Sequence, residues 1–229
     1  MFKFVDDTYL HTGSSQAHTI PSEVHLISTR ASANTLALNS SRSKEMIIFR
    51  PQHQFDPPPP LPRITRVKTL KILGVILQDN LKLTAHIDHL TATCSSSFYA
   101  IRKLKTHGLS SSSIHNVTKA TTVAKLLYAS PSWWGLTLAS DKERLEKLLK
   151  RAKRLGYLEQ SFPTVSELAN IADAKLLFSI LHNPKHVLHQ LLPPFQPLSH
   201  QLRPRAHNHT LPPKDNSQFI PRSLYKNIY

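Results

Sequence analysis

From Thr84 onward the apolar residues recur at a helical period, and before Thr84 they do not. Ile87, Leu90, Cys94, Phe98, Ile101 and Leu104 form one stripe, closed by Gly108. Upstream, short apolar runs bounded by turn residues read as strands. A chain that changes period in this way must build an α+β unit first and an all-α region after it.

The helical half divides readily. A second helix is predicted from about Ser112 to Ala129, with Ile114, Val117, Ala124 and Leu127 inward, ending before Pro131. "SWWG", Ser132 to Gly135, forms an aromatic corner, where Trp133 and Trp134 suit core packing better than stacking on bases. Ser140 and Glu143 are placed to form a capping box for a third helix. Its apolar face is Leu145, Leu148, Leu149 and Ala152, and Gly156 ends it. Thr164 and Glu167 form another capping box, for a helix that Asn183-Pro184 terminates. The tail after Pro193 reads as loop, with Phe219 to Tyr225 as a docking segment.

In the first half, residues 1–12 read as a β-hairpin with Asp6 and Asp7 at its turn. Residues 13–36 read as a weakly amphipathic helix with Pro21 in its first turn. Glu45 to Phe49 and Leu70 to Leu77 read as short buried strands, the second followed by a turn at Asp79-Asn80. Between them "PQHQFDPPPPLPR" lacks the amide donors a ladder needs and reads as an extended connector. The predicted regions are 1–82, 83–192 and a Pro/Arg/His-rich tail, 193–229.

Lys and Arg number 29 against 14 Asp and Glu, a formal charge of +15, which favours a polyanionic partner. Among 229 residues the one cysteine, Cys94, has no internal disulfide partner, which fits a reducing compartment. No apolar run approaches the length of a membrane span, and the N-terminus has no signal-peptide pattern, so neither a membrane partner nor secretion is expected. Five glycines make no Gly-rich phosphate loop.

Carboxylates at a tight β-turn project together and suit a hard divalent ion such as Mg²⁺. Asp-Asp is equally a favourable turn dipeptide. "FVDD" followed by Thr8 resembles the (Y/F)-x-D-D motif of reverse transcriptases. "LALNSSRSKEMIIF" (Leu36 to Phe49), "LKILGVILQDNLKLTAHIDHL" (Leu70 to Leu90) and "TTVAKLLYASPSWWG" (Thr121 to Gly135) resemble successive blocks of non-LTR retrotransposon polymerases, in the same order. "LRPRAHNHTLP" and "FIPRSLY" resemble the ends of those reading frames, and the nearest likeness is to the jockey-like, CR1-like branch.

The resemblance implies a partial polymerase palm followed by a helical thumb. The family reaction is RNA-templated DNA synthesis, so the implied partners are an RNA template and a DNA primer, and the implied locations are cytoplasm and nucleus. Asp6 would ligate the catalytic metal with Asp7 beside it, and Phe4 takes the place of an aromatic near the primer end. Arg42 falls where the family usually has a lysine near the incoming triphosphate. Arginine keeps the charge there but disfavours proton donation. Lys147, Lys150, Arg151, Lys153 and Arg154 suit a thumb helix against a nucleic-acid backbone. The Lys142 to Arg154 charges also fit the solvated face of an amphipathic helix, and the resemblance tips the reading toward nucleic-acid contact.

The family also needs a metal aspartate on an upstream palm strand and a Gly-rich segment after it, and this sequence holds neither. The expectation is therefore a truncated polymerase with little or no activity alone, or a non-catalytic basic nucleic-acid-binding module.

Other motifs carry less. His182, His186 and His189 lack a fourth zinc ligand and straddle Pro184. His207-Asn208-His209 matches a nuclease motif in letters only, and Ser41-x-x-Lys44 lies inside a polymerase-like block. "PPPPLP", Pro57 to Pro62, could serve as a ligand for a polyproline-binding module, but a rigid connector between strands is the favoured reading.

Overall fold

A computed structural model describes residues 2–4, 7–49, 56–196 and 207–228. It is an α+β chain in two compact units, 1–70 and 71–229.

The first unit holds local elements only. Strands β1 (Phe2–Phe4) and β2 (Asp7–Tyr9) pair antiparallel, with Phe4 opposite Asp7 and Phe2 opposite Tyr9. The expected helix over 13–36 is split. Ser14–Thr19 is a 3₁₀ turn, and α1 spans Ile20–Ala33 with Pro21 in its first turn. Pro21 has no amide to donate back into a preceding turn, so the α-helix starts next to it rather than running through it. Strands β3 (Lys44–Glu45) and β4 (Thr65–Arg66) form a two-residue parallel pair. Glu45 closes it as a fork: Arg66 Nε and Nη2 donate to its two carboxylate oxygens at 2.9 and 3.2 Å. The expected buried strand Glu45 to Phe49 is thus corrected: it stops at Glu45, and Ile48 is 46% exposed. A ladder with one short partner has no facing layer to bury its apolar run. No described residue of this unit is buried.

The second expected strand, Leu70 to Leu77, is instead a hairpin of β5 (Thr69–Ile72) and β6 (Val75–Gln78). Leu73 and Gly74 both have positive φ, 45° and 92°, the signature of a two-residue type I′ turn. Gly74 is further required because a Cβ there would lie 2.9 Å from the Tyr128 ring. Gln78 to Leu81 turns as expected, closed by Leu81 N–H donating to Gln78 O at 2.9 Å.

Helix α2 (Thr84–Thr106) buries Ile87, Leu90, Cys94, Phe98 and Ile101. The stripe ends one turn earlier than its sequence pattern, since Leu104 is 41% exposed. Helix α3 (Ser111–Thr118) is capped by the Ser110 hydroxyl, which accepts from Ser113 N–H. The expected continuous second helix is interrupted: Lys119–Val123 is a π segment, and α4 is only Ala124–Leu127. Thr118 and Thr121 hydroxyls donate back to the carbonyls of Ile114 and Val117, which favours such widening. Ala129, at φ 51°, turns the chain into the short α5 (Ser130–Trp133) and a 3₁₀ turn, Trp134–Leu136.

Helix α6 (Ala139–Arg154) starts one residue before the expected Ser140 cap. Ser140 therefore lies inside the first turn and makes no capping box. Asp141 supplies first-turn negative charge instead, accepting from the Thr84 hydroxyl at 3.0 Å and Arg144 at 2.9 Å. The apolar face is as expected: Leu145, Leu148, Leu149 and Ala152 are all buried. Helix α7 (Val165–His182) carries the expected capping box of Thr164 and Glu167 in full.

The described tail segment, 207–228, holds a helix that its composition does not suggest. Its docking segment is α8 (Phe219–Lys226), which packs on α7. Arg222 is buried there and donates to Asp173 at 3.0 and 3.3 Å, and to the carbonyls of Pro131, Asn216 and Ser217. Gly135 is required by this contact, since a Cβ there would collide with the Arg222 guanidinium and the Ser217 carbonyl. Among the described residues no helix is long and apolar enough to cross a membrane.

Candidate nucleic-acid interface and acidic hairpin

The basic residues of α6 divide by what they touch. Lys147, Lys150, Arg151 and Arg154 stand at i, i+3, i+4 and i+7, and so share one face. All four are exposed and line one open groove of about 380 Å³. Lys147 pairs with Glu143 at 2.9 Å, and that hydrogen bond holds the Glu143 carboxyl below its usual range. The Arg151 guanidinium lies 6.0 Å from the Phe98 ring centroid, so α2 steadies its stem. Among the described residues no carboxylate pairs with Lys150, Arg151 or Arg154.

Lys153 does not join them. Its ammonium donates to the Gln160 carbonyl at 3.2 Å and to the Phe162 carbonyl, which pins the loop after α6. Helical phase does not set it apart, since it lies only three residues from Lys150; its hydrogen bonds to the loop carbonyls do. Arg144 is likewise spent within the fold, on Asp88 at 2.6 Å and Asp141.

In the first unit, Asp7 opens β2 and is exposed, and its Oδ2 accepts from the Tyr9 hydroxyl at 3.4 Å. Asp6 lies outside the described residues, and Phe4 stands opposite Asp7 in the hairpin. Asp7 thus begins a strand, where the sequence pattern placed it in the turn. Arg42 sits exposed in a turn organised by Asn39, whose Oδ1 accepts from Arg42 N–H at 3.2 Å and from the Ser41 hydroxyl at 2.7 Å. Among the described residues no group of three or more His, Cys, Asp or Glu is gathered as metal ligands. One described carboxylate does not constitute a two-ion site.

The remaining sequence motifs are absorbed by the fold. Trp133 and Trp134 are core residues, and Trp133 Nε1 donates to the Tyr128 carbonyl at 2.9 Å. His182 and His189 donate ring N–H groups to the carbonyls of Phe178 and Ile180, while His186 Nδ1 accepts from Leu188 N–H. His207 and His209 donate to Leu224 and Pro193 carbonyls, fastening the tail.

Comparison with protein-family models, with curated proteins and with solved structures finds no match.

Proposed function

We propose that the chain is the palm end and thumb of a reverse transcriptase of the non-LTR retrotransposon type, and that α6 grips the backbone of an RNA–DNA duplex. The observation supporting this most is the four-cation groove of Lys147, Lys150, Arg151 and Arg154. Phosphate oxygens are the ligand such a row suits, because guanidinium and ammonium groups donate to them while counterions leave the duplex.

In this reading Asp6 and Asp7 are the metal-facing carboxylates, Mg²⁺ supplies the electrophilic assistance when bound, and Arg42 faces the triphosphate. Two adjacent carboxylates do not hold two ions roughly 3.5–4 Å apart, so primer extension needs ligands beyond these. The helical unit's own part is binding and positioning. A non-catalytic basic module is the second reading. It is favoured by the placement of every described buried residue in the unit that carries α6 and none in the one that carries the acidic hairpin.

The test is fluorescence anisotropy on an RNA–DNA hybrid across a salt series. Engagement of four phosphates predicts that log affinity falls with log salt at a slope of about 3–4. Lys150→Glu and Arg154→Glu should each lower the slope by about 1 or more, and Lys153→Gln should leave it unchanged. A slope indifferent to the first two substitutions rejects the interface. Primer extension then separates the two readings. Mg²⁺-dependent incorporation that vanishes in Asp6→Ala establishes a polymerase, and its absence beside intact binding favours the module.

A further inference from the structure

We infer that Pro57 to Pro62 is a docking ligand for an aromatic-lined polyproline groove on a partner protein, presented ready-formed by the first unit. The backbone follows from sterics. Each proline ring fixes φ near −65°, and a following proline drives ψ into the extended region. Pro57, Pro58, Pro59 and Leu61 all precede proline, so the run is held in polyproline II. Pro62 continues it. The Leu61 carbonyl accepts from Ile64 N–H at 3.2 Å, and Arg63 has φ 61°. That is a type II turn, whose second residue has the same extended geometry.

The anchoring is one-sided. Leu61 is half-buried, and its N–H donates to Glu45 Oε2 at 3.5 Å, the carboxylate that Arg66 fixes from the other side. Pro57 to Pro60 and Pro62 are exposed. With three residues per turn, Pro57 and Pro60 form one ridge and Pro59 and Pro62 another. These are the paired ridges that aromatic-lined grooves accept. Among the described residues no hydrogen bond reaches the carbonyls of Pro57 to Pro60 or Pro62, so they remain available to donors lining such a groove. A connector that served only to join β3 to β4 would gain by packing its prolines, and these are not packed. Because the run is preformed, little ordering entropy opposes its docking.

The experiment uses the full chain, a peptide of residues 56–63, and an isotope-labelled WW domain that selects Pro-Pro-Leu-Pro, titrated by NMR. The chain should bind at least as tightly as the peptide, and raising salt should change this little. Pro59→Ala and Pro62→Ala should each weaken binding about tenfold, a difference of about 1.4 kcal/mol, with the thermal midpoint unchanged. Pro57→Ala, on the other ridge, should weaken it as well. The inference fails if the peptide binds and the chain does not, if neither binds, or if the chain's binding is untouched by these substitutions or lost in salt.

Discussion

The two units of this chain are ordered by different means. In the second, Leu83, Ile87, Cys94, Trp133, Leu145, Leu149 and Ala169 are among the side chains removed from water, and even the charged pair Asp173–Arg222 is buried. In the first, no described residue is buried, while Leu26 and Leu36 are 53% and 66% exposed. Its order rests on the β1–β2 hairpin, a two-residue parallel ladder, the Glu45–Arg66 fork, an Asn39-centred turn and two proline-fixed segments. Local devices of this kind each contribute about 1 kcal/mol or less, whereas apolar burial sums over many residues. The teaching is that catalytic-looking residues and folding-competent residues occupy different parts of one chain. Among the described residues, the acidic hairpin belongs to the unit without buried side chains and the basic groove to the unit that holds the buried core.

That contrast can be broken most forcefully at Arg222. Arg222→Met leaves Asp173 buried without its cation, and denaturant unfolding should show a loss of about 3–5 kcal/mol. Substituting Asp173→Leu together with Arg222→Met should recover much of it. Core truncation comes next. Ile87→Ala should cost about 2–5 kcal/mol, but Leu26→Ala, on exposed α1, should change stability by less than about 0.5 kcal/mol. Similar losses at both sites would erase the distinction between the units.

Acid should act selectively on the second unit. His86 is buried against Trp133 and accepts from Ile76 N–H through Nδ1. Burial first, then the charges of His89 and Lys71, push its pKa down to about 4 from 6.5. The unfolded chain therefore takes up this proton before the folded one does. Its contribution is complete above pH 6.5 and is lost progressively as pH falls toward 4, by up to about 3 kcal/mol. The checking measurement is the unfolding midpoint against pH, with His86→Phe flattening that segment. A smaller effect is expected at the α7 cap, where Thr164→Ala should cost about 1 kcal/mol. Finally, burial pushes the Cys94 thiol up to about 11. A thiol reagent at neutral pH should label it only as fast as the helical unit opens.

The helical elements were legible because their cause is local and periodic. The α6 face from Leu145 to Ala152 and the Thr164–Glu167 box require only spacing, and both are as read. The hairpin at Leu73-Gly74 was missed because eight residues rich in Leu, Ile and Val outweigh one glycine in a pattern, although Leu-Gly fills a two-residue turn. The buried strand at Glu45 to Phe49 failed for another reason: burial depends on a facing layer, which no short segment encodes. Arg222 belongs to the same class, since its acceptors come from Pro131, Asp173 and Asn216, far apart in sequence. In the candidate interface the residue types are legible, but the acceptors that draw Lys153 away, the Gln160 and Phe162 carbonyls, belong to a loop whose path no spacing within α6 encodes.

The Arg222 contact also sets a timetable for synthesis. Asp173 and Arg222 are 49 residues apart, so at ribosomal elongation rates Asp173 is made about 2–10 s before its partner. During that interval the nascent helices have a buried-type carboxylate and a Gly135 notch with nothing in them. The Asp173 pair and the Gly135 contact close only when the guanidinium arrives, so in that interval a chaperone or a protease has the open notch to recognise.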